Sequence, residues 1–183
     1  MDLTLIDLPS EVVRTERLVL RPYRPEDVAA VHRACQDAGI QRWITVLPVP
    51  YTDEDARTWV EEVAPAERAE GAGMPVVVEA HGELVGAAGL HFRPGRLGPE
   101  IGYWIAPWGR GHGYAAEAAA ALAEWALGLG APRVHLYADV DNTASQAVAE
   151  RAGFTREGVV RGCLDRRDGG RGDAVLFGRL PED

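Results

Sequence analysis

The stretch WGRGHGYAAEAAAALAEW, which begins at Trp108, sets glycines at positions 109, 111 and 113 directly before an alanine-rich run. Glycine allows left-handed backbone and close approach to another group. The alanines predict a helix, and the mouth of a helix carries N–H groups without intrahelical acceptors together with partial positive charge. Such a loop is suited to cradling an anion, and phosphate is the anion it fits best.

Competing phosphate-binding designs can be told apart by what surrounds them. All 19 basic residues are arginine, so a Walker A loop and a Schiff-base lysine are both excluded. Gly111-His112-Gly113-Tyr114-Ala115-Ala116 fits the GxGxxA form of a dinucleotide fingerprint. That fold, however, requires several parallel βαβ units and an acidic residue after the next strand.

The flanking elements predict something else. RLVLRPYRP (17–25) alternates like a first strand, and PEDVAAVHRACQD then places Val28, Val31 and Cys35 at helical spacing. YTDEDARTWVEEV predicts a second helix, with Thr52 or Asp53 as cap and Ala56, Trp59, Val60 and Val63 as its apolar stripe. MPVVVEA and ELVGAAGLHF flank a short HG turn, and PEIGYWIAP (99–107) is the next strand, so three antiparallel strands precede the glycines. The long helix after them turns Ala115, Ala118, Ala119, Leu122, Trp125, Ala126 and Leu129 to one face. RVHLYADV (133–140) is a strand parallel to the one before it, TASQAVAERAGF a short helix closed by Gly153, and the remainder a hairpin around DGGRG. Only one crossover follows the loop, which disfavours the dinucleotide fold.

Arg110-Gly111-His112-Gly113-Tyr114-Ala115 also reads as R-x-x-G-x-A. With that motif the chain resembles the GNAT superfamily of acyl-CoA-dependent N-acyltransferases, whose signature is [QR]-x-x-G-x-[GA] between a strand and a long helix. TERLVLRPYRPED (15–27) is similar to the opening of the branch that includes the ribosomal-protein N-terminal acetyltransferases. GELVGAAGL, EIGYWIAPWGRGHGYAAEA and DNTASQAVAERAGF resemble later segments of the family, in the correct order. The resemblance implies an α/β (α+β) fold: a mixed, mostly antiparallel sheet of six to seven strands, with helices on both faces. It also implies that the fourth and fifth strands run parallel and splay apart.

The resemblance further implies acetyl-CoA as co-substrate. Backbone at Tyr103, Trp104 and Ile105 would pair with the pantetheine arm, while Trp104 and Ile105 also suit core packing. Arg110, Gly111, His112, Gly113, Tyr114, Ala115 and Ala116 would cover the pyrophosphate, and Asn142 would hydrogen-bond the cofactor. An acceptor amine must be neutral to attack a thioester, which calls for a base and a partner for the departing sulfur. Glu100 is the expected base, with Asp139 and Tyr137 in reserve and a surface carboxylate as the plain alternative. Many relatives carry a Tyr where this chain has Ala149, so Ser145 or water is left to serve the sulfur; a helix-capping role also suits Ser145. Trp43, Tyr51 and Trp59 are candidates for the acceptor wall, with buried packing as the plain alternative for each Trp. The expected acceptor is a protein N-terminal α-amine or a small-molecule amine, and an acyl-CoA-binding module without turnover is the alternative.

Composition bounds these expectations. A chain of 183 residues predicts one domain, which the resemblance implies is an acyltransferase domain over 1–183. The formal net charge of −9 argues against a nucleic-acid partner. Apolar runs are too short for a membrane span, and MDLTLIDLPSEVV lacks the pattern of a secretory signal, so a cytoplasmic setting is expected. Cys35 and Cys163 have no metal spacing and are expected to be two buried free thiols. His32, His81, His91, His112 and His135 lack ligand spacing, so no metal is expected. Relatives are frequently dimers, and a homodimer is one expectation.

Overall fold

The computed structural model describes residues 1–183 except Leu5, Arg93, Pro94 and Arg96. The strands are β1 (Val13–Arg14), β2 (Val19–Arg21), β3 (Gly73–Ala80), β4 (Glu83–His91), β5 (Glu100–Ile105), β6 (Val134–Asp139), β7 (Thr155–Asp165) and β8 (Arg171–Arg179). They form one sheet in the order β1-β2-β3-β4-β5-β6-β8-β7. Every neighbouring pair is antiparallel except β5 and β6. The β3–β4 hairpin turns on His81 and Gly82, with φ of 53° and 80°. Two successive positive φ values match the right-handed twist of the flanking strands.

The helices are α1 (Val28–Cys35), α2 (Ala38–Trp43), α3 (Asp53–Thr58), α4 (Ala64–Ala69), α5 (Tyr114–Gly128) and α6 (Thr143–Arg151). A π turn over Trp59–Val63 joins α3 to α4. Pro65 follows it and has no N–H to give back to the preceding turn. Thr52 caps α3 by accepting from Asp55 N, and Asp55 returns a bond to Thr52 N.

The two faces of the sheet bury different cores. Val76 and Val78 of β3 pack with Ala118, Ala119, Leu122 and Ala126 of α5 and with Ala149 of α6. Val77, between them, packs with Val28 and Val31 of α1 and with Ala56 of α3. Alternate valines thus face opposite layers, which explains an unbroken apolar run in a strand. Alanine on the buried face of α5 keeps that helix close to the strands that fork beneath its mouth.

Several expectations need correction. Among the described residues the sheet has eight strands rather than six to seven, because the two residues of β1 add an edge beside β2. The first main strand stops at Arg21, since Pro25–Asp27 forms a 3₁₀ turn in which Asp27 takes both Nη groups of Arg21, at 2.7 and 2.9 Å. Helix α2 has no counterpart in the sequence reading. Both cysteines are free, but Cys35 alone is buried and Cys163 is half-exposed. Among the described residues, no helix is long and apolar enough to cross a membrane.

Candidate active site

The glycine loop meets the requirements of an anion cradle. Gly111 and Gly113 have φ of 83° and 80°, in the left-handed region. A Cβ built at Gly111 would meet nothing within 4 Å, so room is left beside its backbone. Gly113 is the N-cap of α5, and no side chain among the described residues caps the first turn of this 15-residue helix. Its leading N–H groups, from Tyr114 to Ala116, are the orphans that a phosphate would accept from. Gly109 serves a different need: a Cβ there would stand 2.7 Å from Val85 O, so the loop could not pack down on β4.

Charged and aromatic side chains brace this loop. Arg110 Nη2 donates to Asp37 Oδ1 at 2.5 Å, and its Nε donates to Ile105 O at 3.3 Å. Contact with the Arg110 guanidinium holds the Asp37 carboxyl below its ordinary value. The His112 ring stacks on Tyr114, with centroids 5.3 Å apart. Arg17 was not singled out from the sequence, yet its Nη1 donates to His112 O at 3.0 Å and its Nε to Glu117 Oε2 at 2.7 Å. Burial raises the Glu117 carboxyl, but Thr15 and Arg17 together bring it below its ordinary value. The signal for Arg17 was its placement in the turn between β1 and β2, which only the tertiary fold brings to α5.

Below the loop, the sheet forks. β5 pairs with β4 along its whole length, from Glu100 opposite His91 to Ile105 opposite Gly86. Its parallel pairing with β6 is limited to Glu100 opposite His135, supported by His135 N donating to Pro99 O at 3.0 Å. Beyond Glu100 the two strands part, and the edge of β5 at Tyr103–Ile105 is open to an extended partner. Tyr103 and Ile105 pack against the α5 layer, while Trp104 packs against the α1–α3 layer.

A cavity of about 1020 Å³ occupies the fork and the space under α1–α3. Glu100, Tyr103, Trp104, Asn142 and Ser145 line it together; Ile105 and residues 110–116 lie outside its lining. Trp43, Tyr51 and Trp59 wall its far side, and the reserve candidates Asp139 and Tyr137 also face it. At the root of the fork three side chains form a row across the sheet, His91, Glu100 and His135, from paired positions on β4, β5 and β6. His135 Nε2 lies 3.9 Å from Glu100 Oε2. Burial, outweighing the pull of Glu100, lowers the His135 pKa below its ordinary value and so favours the neutral ring. The sequence offers His135 only as a histidine without ligand spacing; the β5–β6 pairing is what sets it beside Glu100.

On the other prong, Asn142 caps α6, its Oδ1 accepting from Ser145 N at 3.1 Å. Asn142, rather than Ser145, is therefore the cap residue of this helix. The Ser145 hydroxyl lies 3.0 Å from Tyr103 Oη, and Tyr103 Oη also donates to Ser145 O at 3.1 Å. Among the described residues no group of three or more His, Cys, Asp or Glu is arranged to hold a metal ion.

Comparison with known proteins agrees with this architecture. Residues 17–155 match the acetyltransferase (GNAT) domain family. The chain is similar to the uncharacterized N-acetyltransferase YnaD of Bacillus subtilis (strain 168), 27% identical over 155 residues, which are 84% of this chain and 88% of the relative. Among solved structures it is similar to Mycobacterium smegmatis RimJ in complex with CoA-disulfide: 27% identity, TM-score 0.82, 94% of this chain and 88% of that one. It is also similar to the Salmonella typhimurium acetyl transferase that modifies the N-terminal serine of 50S ribosomal subunit protein L7/L12, with 25% identity and TM-score 0.80, covering 93% of this chain and 99% of that one. An uncapped glycine-rich helix mouth above a forked parallel strand pair, matched by the family over most of its length, makes this chain a member of the GNAT acetyltransferase family.

Proposed function

We propose that this protein, acting as one domain, transfers an acetyl group from acetyl-CoA to a primary amine by direct attack in a ternary complex. The fork carries the assignment: one open strand edge, one uncapped helix mouth, and a carboxylate where they lead. The cofactor, when bound, supplies the thioester that the amine attacks. Backbone N–H groups from Gly111 to Ala116 hold its diphosphate, and Arg17, ion-paired with Glu117, steadies the same mouth by donating to His112 O. The open edge at Tyr103, Trp104 and Ile105 takes the amides of the pantetheine arm as a neighbouring strand would. The Asn142 side chain lies at the opening of the other prong, where it meets the same arm.

Glu100 accepts a proton from the acceptor ammonium, directly or through one water, so that nitrogen attacks as the neutral amine. A neutral His135 behind Glu100 adds no positive charge to the base and leaves its carboxylate able to take the proton. Ser145 turns its hydroxyl to the departing sulfur. Trp43, Tyr51 and Trp59 enclose the acceptor and exclude bulk water from the reacting carbon.

The favoured acceptor is a protein N-terminal α-amine. Its ordinary pKa of about 7.7–8.0 makes deprotonation far easier than for a lysine-like amine at about 10.4. The Salmonella relative, named for modifying an N-terminal serine, acts on such a group. Two free cysteines fit the reducing cytoplasm in which those acceptors are made. The test is CoA release from acetyl-CoA over a panel of peptides with free and blocked N-termini, polyamines and aminoglycosides. Turnover restricted to free N-termini is the expected result. Turnover on small amines alone would reassign the acceptor, and thermal stabilisation by CoA without turnover on any amine would leave only a binding module.

A further inference from the structure

The hydroxyls of Tyr103 and Ser145 meet between β5 and α6, at the edge of the cavity, although 42 residues separate them in sequence. Two acceptors stand within reach of the one phenolic hydrogen: Ser145 O at 3.1 Å and Ser145 Oγ at 3.0 Å. Ala149, one turn further along the same face of α6, is buried and carries no polar group. Ser145 therefore finds its hydroxyl partner on the strand rather than on its own helix.

Two hydrogen-bond arrangements fit this geometry. In the first, Tyr103 donates to the Ser145 carbonyl and the Ser145 hydroxyl donates to Tyr103 Oη. In the second, Tyr103 donates to Ser145 Oγ, and the serine hydrogen is released toward the cavity. The change requires only two hydroxyl rotations and moves no heavy atom.

We propose that Tyr103 is a positioning residue for thiolate departure: by donating to Ser145 Oγ it directs the Ser145 hydroxyl at the leaving sulfur of CoA. The inference rests on Ser145 being the partner of that sulfur, as proposed above. When the carbon–sulfur bond breaks, its electron pair stays on sulfur, and the thiolate accepts a hydrogen bond from Ser145 Oγ. Neither hydroxyl ionises. The proton that finally neutralises the thiolate is balanced by the one that the new amide nitrogen sheds. Burial, slightly offset by Ser145, pushes the Tyr103 phenol up to about 12, so it stays a neutral donor throughout. A serine whose oxygen accepts one bond while its hydrogen donates another is the stronger donor of the two states, since successive hydrogen bonds polarise one another.

The test is the thiol of bound CoA, titrated by the ultraviolet absorbance of its thiolate in the complex with the intact enzyme. A donor to the thiolate lowers the bound thiol pKa, so losing it raises that pKa. Tyr103→Phe and Ser145→Ala should each raise it by about one unit, the double variant no further than Ser145→Ala, with kcat about tenfold lower in each. CoA affinity should stay within about twofold, because backbone groups do the holding. If Ser145→Ala moves the titration and Tyr103→Phe does not, the positioning role is overturned while Ser145 keeps its place. If Ser145→Ala moves nothing, both assignments fall. A fluorinated tyrosine at position 103, a stronger donor of nearly the same shape, should lower the thiol pKa. An unmoved titration there overturns the proposal even if Tyr103→Phe folds poorly.

Discussion

Asp37 and Arg110 join helix α2 to the glycine loop: Arg110 Nη2 donates to Asp37 Oδ1 at 2.5 Å, and the same oxygen accepts the Ile40 N–H that opens α2 at 2.9 Å. One carboxylate therefore caps a helix on the acceptor side and restrains the first residue of the R-x-x-G-x-A motif. The two roles separate by substitution. Asp37→Asn retains a capping oxygen and loses only a half-exposed ion pair, so unfolding free energy should fall by less than about 1 kcal/mol. Asp37→Ala loses both and should fall by about 1 kcal/mol more, because alanine cannot cap. Urea unfolding of the three proteins measures the difference; equal stability for Asn and Ala would mean that the cap contributes nothing.

Gly113 leaves the start of α5 without a side-chain cap while holding φ at 80°. Gly113→Ala must either keep that angle, at about 1–2 kcal/mol of strain, or unwind the mouth. CoA affinity should drop about tenfold or more. Gly128→Ala is the control, since it lies at the end of the same helix and its added Cβ meets nothing within 4 Å. Calorimetric titration with CoA gives both values. A Gly113→Ala protein that binds CoA as tightly as the parent would place the diphosphate elsewhere.

Glu100 stands at the root of the fork, opposite His135, and lies outside the glycine loop. Glu100→Gln should lower kcat by about 10²–10⁴-fold, the usual range for loss of a general base, and leave CoA affinity unchanged. The residual rate should rise with pH as free amine replaces ammonium in solution. The variant should therefore recover more at alkaline pH toward an α-amine acceptor than toward a lysine-like one. Steady-state rates across pH decide this, and an unaltered kcat would pass the role to Asp139 or water.

Local chemistry was legible in the sequence, and contact across the fold was not. The Thr52 cap, the His81–Gly82 turn and the glycine loop each depend on a few consecutive residues, and each lies where the pattern placed it. Helix α2 could not be read: AGIQRW holds a glycine and buries only Ile40. What secures it comes from afar, since Arg167 donates to Gln41 O at 3.0 Å and to Ile44 O at 2.9 Å across more than 120 residues of chain. The site divides in the same way. Glu100 and Ser145 are candidates through the family resemblance, whereas Arg17, His135 and the Tyr103 hydroxyl come to notice only through partners on other elements.

His135 supplies a prediction whose sign depends on two opposing forces. Glu100, 3.9 Å away, favours its protonated form, while burial and the charge of Arg133 oppose it; burial dominates and lowers the folded pKa below the ordinary 6.5. Between that lowered value and 6.5, the unfolded chain holds more of the proton than the folded one, so stability must rise with pH across this window. Read downward, stability contributed by a neutral His135 is complete above about 6.5 and is lost as pH falls toward the folded value, with a slope of at most about 1.4 kcal/mol per pH unit. His135→Gln cannot take up that proton, so its stability should be flatter across the same window whatever its absolute level. Chemical unfolding of both proteins at several pH values gives the two slopes. Parallel curves would mean that His135 is equally basic folded and unfolded, and that Glu100 at the root of the fork faces a histidine far more readily charged than burial allows.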